Sequence, residues 1–276
     1  MLEKIIFRNH LGEEIESGQG GFYVNSNDLR DYTWSYEESS DRIVGFKRGV
    51  VKKSIPIVIL TENEEKAVCL KNWITTLSEK DVCDMNPGKI IINGCYMRGY
   101  IYESKKTKYY YDKRFLQSTL KFVSDEPQWV TESTKAFHPA GSDTGYPHLD
   151  YPYDYDYDYA PDIISAGHIN LDHYAPCKYL LKIYGPAINP AVTIGGIVRQ
   201  VYTTLEAGQY LLIDSRDKTV KRVLNDGSVL NEFDNRRRGT KSIFEPITPG
   251  MNEVTWNNAF GFDLTLFIER SEPEWR

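Results

Sequence analysis

Histidine, cysteine and carboxylate side chains build most metal and catalytic sites, so their spacing comes first. Of the five histidines, only His168 and His173 lie close together, with Asp172 beside them. A five-residue step suits neither one helical face nor the HExxH arrangement, which needs a four-residue step and an intervening glutamate. Surface or turn histidines are the simpler reading, with a metal site assembled by folding as the alternative. No GxSxG elbow and no GxxxxGK[ST] phosphate loop occurs. Gly195-Gly196 lies between two strand-like runs and opens no helix, which makes it a bend rather than an anion cradle. Among 39 acidic residues, no pair is singled out by the sequence for glycosidase chemistry. No catalytic, cofactor-binding or metal-ligating residue is therefore assigned, and no cofactor is expected.

The run HLDYPYDYDYDYAPD (148–162) is the most unusual stretch. Read as a calcium loop from Asp154, it has Asp at positions 1, 3 and 5. Position 6 is Tyr159 instead of Gly, and position 12 is Ser165 instead of Glu. The EF-hand reading fails on both, and weak cation binding by the clustered carboxylates stays open. An extended chain puts tyrosines on one face and aspartates on the other. The tyrosines can then lie on a neighbouring surface while the acidic edge discourages further strand pairing. The run reads as an ordered, aromatic-anchored connector.

Composition narrows the classes. The chain of 276 residues is long enough for one large domain or two ordinary ones, with 41% hydrophobic and 26% charged residues. Twenty tyrosines beside 11 Phe and 5 Trp favour strands and surfaces that meet other molecules. Thirty-three basic against 39 acidic residues leave a net charge of -6, which disfavours binding nucleic acid through phosphate neutralisation. The basic cluster Arg236-Arg237-Arg238 reads as a solvated turn or an inter-subunit ion pair rather than a phosphate site. No apolar run approaches the ~20 residues of a membrane span, so no membrane insertion is expected. The N-terminus lacks the apolar core and cleavage site of a signal peptide. Cys69, Cys83, Cys95 and Cys177 form no CxxC pair, and are expected to be free thiols in a reducing cytoplasm.

The elements that would position any site are mostly strands. Residues 1–130 carry short β-rich runs: LEKIIF, YTWSYE (Tyr32 to Glu37), SIPIVIL, KIIING, CYMRGYIYES and FLQSTLKFV. In YTWSYE, alternation places Tyr32, Trp34 and Tyr36 on one face. One helix is expected over about residues 62–84. Thr61 and Glu64 have capping-box spacing, with the Thr61 hydroxyl at the cap. Ala67, Leu70, Trp73 or Ile74, and Leu77 form its apolar face. Asn86-Pro87-Gly88 ends it, with Gly88 accepting a left-handed turn. Residues 131–162 hold five prolines and glycines between Pro139 and Pro152 and read as a connector. From 163 to 276, CKYLLKIYG, AVTIGG, IVRQVYTTL, QYLLID, TVKRVL, SVLNEF, NEVTW and DLTLFIER are strand-like, with a hairpin turn at Asn225-Asp226-Gly227. The fold class is mainly β: an α+β N-terminal domain with one helix, then a β-sandwich.

This order resembles the distal tail proteins of long-tailed bacteriophages with Gram-positive hosts. The similar stretches are the YPYDYDYDY run, GPAINPAVTIGG (Gly185 to Gly196), LEAGQYLLIDSRDKTV (Leu205 to Val220), the NDG hairpin, ITPGMNEVTW (Ile247 to Trp256) and ERSEPEW (Glu269 to Trp275). YTWSYEES and IVGFKRGVVKKSIPIVI resemble the family's opening. The resemblance implies a homo-hexameric ring of N-terminal belt domains at the virion tail tip. That ring joins the tail tube protein to the tail-associated hub protein. Galectin-like sandwiches project outwards to hold receptor-binding or accessory proteins. DNA only passes through the lumen, and a net negative chain suits that passage. The family implies no enzyme, and at 276 residues there is no room for an inserted carbohydrate-binding module. Two other readings compete. One is a carbohydrate-binding β-sandwich module of a tail or cell-surface protein, since exposed Tyr and Trp can stack sugars. The other is a cell-wall hydrolase with an acid pair the sequence hides.

Overall fold

A computed structural model describes residues 3–109, 112–139 and 165–275. The Tyr151–Tyr159 run, with its expected connector geometry, lies outside the described residues. The chain forms two compact units: residues 1–131 with 269–276, and residues 132–268. Among the described residues the fold is mainly β with a single α-helix.

The first unit contains β1 (Ile5–Arg8), β2 (Glu14–Glu16), β3 (Phe22–Val24), β4 (Ser35–Ser39), β5 (Arg42–Lys47), β6 (Val51–Leu60), α1 (Glu64–Cys83), β7 (Gly88–Ile92), β8 (Cys95–Lys108), β9 (Phe115–Ser124) and the start of β10 (Trp129–Phe137). β8 serves two antiparallel sheets. Its first half pairs with β7, which continues through β1 to β2, and Tyr96 pairs with Val130 of β10. Its second half pairs with β9, which continues through β6 to β3. The transfer occurs at Gly99, where a Cβ would stand 2.3 Å from the Val123 carbonyl oxygen and 2.5 Å from the Phe122 ring. Only glycine fits so close an approach of two backbones. Bulges after Ile101 and Lys106 bend the strand further.

Alternation along β6 buries Lys53, Ile55, Ile57 and Ile59. These isoleucines join Phe7, Phe22, Trp129 and the apolar face of α1 in one core. Ala67, Ile74 and Leu77 are its buried helix residues, with Leu70 and Trp73 packed at its margin. The helix cap differs from the sequence reading. Asn63, in extended conformation, is the N-cap, and its side chain accepts from the Lys66 N–H at 2.8 Å. The Thr61 hydroxyl instead donates to the Asn63 carbonyl at 2.7 Å. An amide oxygen caps as well as a hydroxyl, and it sits where the backbone turns helical. At the other end, Met85 rather than Gly88 takes the left-handed conformation, with φ 49°. Gly88 is needed for space, since a Cβ there would lie 2.1 Å from Asp81 Oδ2. Asp81 accepts from the His10 backbone N–H at 2.8 Å, and the His10 ring Nδ1 lies 2.7 Å from the same oxygen. Lys80 Nζ donates to both Glu13 oxygens at 2.7 Å. The last helical turn is thereby tied to the β1–β2 turn.

The final residues also belong to this unit. Arg30 donates to the Pro273 carbonyl at 2.7 Å and stacks 3.8 Å from the Trp275 ring, while Asn93 donates to the Glu274 carbonyl at 3.1 Å. ERSEPEW is therefore an ordered strap rather than a loose tail.

The second unit is a β-sandwich. It holds the rest of β10, then β11 (Ser165–Leu171), β12 (Lys178–Tyr184), β13 (Ala187–Ile188), β14 (Ala191–Ile194), β15 (Ile197–Gln200), β16 (Thr204–Leu205), β17 (Tyr210–Asp214), β18 (Thr219–Val223), β19 (Val229–Asn231), β20 (Gly250–Trp256) and β21 (Phe262–Arg270). One sheet runs β19-β18-β17-β12-β21, with β10 beyond; the other runs β11-β20-β14-β15. Alternate residues fill the space between them: Tyr179, Leu181 and Ile183 from β12, Leu264 and Leu266 from β21, Val192 and Ile194 from β14, and Val254 from β20. Phe137, Trp256 and Phe262 form an aromatic cluster with ring centroids 4.6–5.6 Å apart. The expected hairpin turn is present between β18 and β19, with Gly227 at φ 83°. Gly195 and Gly196, at φ 56° and 75°, turn β14 into β15.

Candidate assembly surface

The groups with the chemistry for a metal or catalytic site are dispersed. His168 lies exposed on β11, and the His173 ring packs 4.1 Å from that of Tyr174. Among the described residues no group of three or more His, Cys, Asp or Glu is placed to hold a metal ion. None of the four cysteines is in a disulfide; Cys95 and Cys177 are buried and Cys69 and Cys83 are exposed on α1. No helix among the described residues is long and apolar enough to cross a membrane.

What the first unit does present is an uncovered apolar arm. Among the described residues β4 and β5 pair only with each other, forming a two-stranded hairpin that joins neither sheet of the unit. Its turn places Ser40 and Asp41 at φ 51° and 59°, the two left-handed positions of a tight hairpin. Every residue of β4 is exposed, and so is all of β5 except Gly45. Tyr36 stands opposite Phe46, and they are 60% and 61% exposed. Ile43, Val44 and Val50 are equally open, and Tyr32 and Trp34 lead into the arm from its other side. The sequence reading expects YTWSYE to be an alternating strand with Tyr32, Trp34 and Tyr36 on one face. The strand instead begins at Ser35, and no core lies against either face.

The arm is free but its root is fixed. Lys53 occupies a core-facing position at the start of β6, and its ammonium donates to the Asp28 carbonyl at 2.7 Å and to the Asp31 carbonyl. Burial pushes its pKa down, partly offset by the nearby Asp28 and Asp31 carboxylates. Asp28 also accepts from the Ser54 N–H at 2.8 Å. The Arg48 guanidinium lies 4.0 Å over the Trp34 ring and donates to Ser271 Oγ at 2.5 Å. These contacts pin both legs of the hairpin, at residues 28–34 and at Arg48. Lys47 and Glu37 form an ion pair across the hairpin, but an exposed pair adds little stability. An isolated two-stranded hairpin is marginal in water. On globular proteins, contiguous exposed apolar patches commonly coincide with interaction sites. Sequence reading found the aromatics of this arm but not their exposure. The exposure follows from which strands pair, and those pairings are set by residues far away in the chain.

No family model matches the chain, and no curated protein matches it by sequence. Solved structures do. Chains from the structures of the phage P2 baseplate in its activated conformation, with Ca and with Sr, each align with a TM-score of 0.64 at 13% identity. Each alignment covers 99% of this chain and 100% of the other. The SPP1 Dit protein, a hub adsorption apparatus protein of phages that infect Gram-positive hosts, aligns with a TM-score of 0.57 at 9% identity, covering 98% and 100%. Across both units, the chain has the fold of these phage baseplate and hub proteins.

Proposed function

We propose that this chain is a structural, non-catalytic protein of a phage tail tip, located in the virion. In this reading six copies close into a ring at the distal end of the tail tube. The ring joins the tube to the tail-associated hub, and DNA passes through its lumen. Residues 1–131 with the C-terminal strap form the ring. The sandwich of residues 132–268 stands ready for receptor-binding or accessory proteins.

The observation that carries this reading is the near-complete coverage of both chains in the likeness to SPP1 Dit and to the P2 baseplate chain. The exposed hairpin supports it physically. A ring closes through a heterologous contact, in which one patch of each subunit meets a different patch on the next. An apolar arm on a pinned root can enter a neighbouring copy without disturbing its own core. Light scattering of the purified protein over a range of concentrations tests this reading. A mass rising to six copies agrees with it. A monomer at every concentration, even with the hub protein added, refutes it.

A further inference from the structure

Arg236, Arg237 and Arg238 are adjacent in sequence but have different surroundings. The Arg236 guanidinium lies 3.7 Å over the Phe233 ring and donates to the Phe233 carbonyl at 2.6 Å. Arg238 faces Asp234 at 3.5 Å. The side chain of Arg237 has no ion-pair or hydrogen-bond partner among the described residues, although its backbone N–H is held by the Gln200 carbonyl at 2.9 Å. It lines a cleft of about 250 Å³ together with Gly196, Ile197, Val198, Gly239, Thr240 and Lys241.

Among the described residues no carboxylate lines this cleft. Lys241 and Thr240, like Arg237, lack a described side-chain partner, so a guanidinium, an ammonium and a hydroxyl share one concavity with their donors unspent. In a chain of net charge -6 that is a local excess of two positive charges. The walls are preformed. The β14–β15 turn is closed by its two left-handed glycines on one side. On the other, the Tyr179 hydroxyl donates to the Ile243 carbonyl, and buried Arg199 donates to the Glu245 carbonyl at 3.0 Å. These two bonds fix the segment that follows Lys241.

The geometry points to this cleft as a binding site for a phosphate group, free or as an ester. A planar guanidinium offers paired N–H donors, and an ammonium adds a point charge from a second direction. Several acceptor oxygens around one centre can use both together with the hydroxyl. The cleft falls below the usual range for drug-sized ligands, which suits a small charged group. Its exposure to solvent and salt makes the affinity weak, with a dissociation constant on the order of 1 mM.

The site is independent of the ring reading, and its test uses the full chain. Inorganic phosphate and glycerol phosphate are titrated separately at constant ionic strength, following backbone amide resonances, with chloride as the control. The expected result is saturable shifts confined to Gly196–Val198 and Arg237–Lys241. Arg237→Gln and Lys241→Gln should each weaken binding about tenfold and leave the melting temperature unchanged, since both side chains are exposed. Tighter binding of glycerol phosphate assigns the ligand as an ester, and equal binding assigns free phosphate. Shifts that fail to saturate, that chloride reproduces, or that survive both substitutions overturn the proposal.

Discussion

Tyr36 and Phe46 stand opposite each other across a hairpin that has no third strand among the described residues, and both rings are open to solvent. Cross-strand aromatic pairs of this kind normally lie against a core. In the proposed ring this pair meets a neighbouring copy. Replacing both residues by glutamate should change unfolding free energy by no more than about 0.5 kcal/mol, as at other exposed positions, while abolishing the assembled species. Denaturant melts and light scattering on the same preparation check the two halves.

The root of the arm should be far more sensitive than its tip. Lys53→Ala leaves the carbonyls of Asp28 and Asp31 without their ammonium donor and opens space in the core. A loss on the order of 2–4 kcal/mol is expected, read by urea denaturation. Faster amide exchange over residues 28–34 should accompany it.

Much of the second unit was legible in the sequence, because its strands are short, alternate cleanly and are separated by turn residues such as Asn225-Asp226-Gly227. β11 was not. Its Ser-Ala-Gly start carries no β-forming side chains. Its glycine is there for packing, since a Cβ at Gly167 would lie 2.7 Å from the Phe137 ring. In the first unit the helix and its apolar face were readable, whereas its ties were long-range. His10 meets Asp81 across 71 residues, and Lys53 sits in a slot that alternation assigns to an apolar side chain. For the hairpin, alternation placed the aromatics on one face but carried no information about what lies against that face. The cleft beside Arg237 was hidden for a related reason: three like neighbours, Arg236 to Arg238, differ only in what folding brings to each.

Gly99 should tolerate no side chain. Gly99→Ala drives a Cβ towards the Val123 carbonyl where β8 passes from one sheet to the other. A cost above about 2 kcal/mol is expected from overpacking against backbone. Gly94→Ala, at an open position with φ 80°, should cost less. Paired denaturant melts check the order.

The corrected cap makes a sharper comparison. Asn63→Ala should cost about 1 kcal/mol by freeing the Lys66 N–H. Thr61→Ala removes only a bond to the Asn63 carbonyl and should cost less. Equal losses, or a larger one at Thr61, would restore the hydroxyl cap.

Tyr184 sets an alkaline signature. Its hydroxyl donates to Asp263 Oδ2 at 2.6 Å, and that hydrogen bond, with burial and the adjacent charge, pushes its pKa up to about 12. The folded chain thus holds this proton above the ordinary phenol value of 10. Its stabilising contribution is complete below pH 10 and is lost as pH rises from 10 to 12. NMR titration of ring-labelled tyrosine should show one resonance with a midpoint near 12 that is absent in Tyr184→Phe. Asp263→Asn should return that midpoint towards 10.

Negative-stain images of the largest species in solution, with the hub protein added if needed, decide whether six copies close into a ring. A ring built as proposed gives a sixfold annulus with a central hole wide enough for duplex DNA, lost when Tyr36 and Phe46 are both replaced by glutamate. Particles without a ring, or a ring that persists unchanged in that variant, would contradict it.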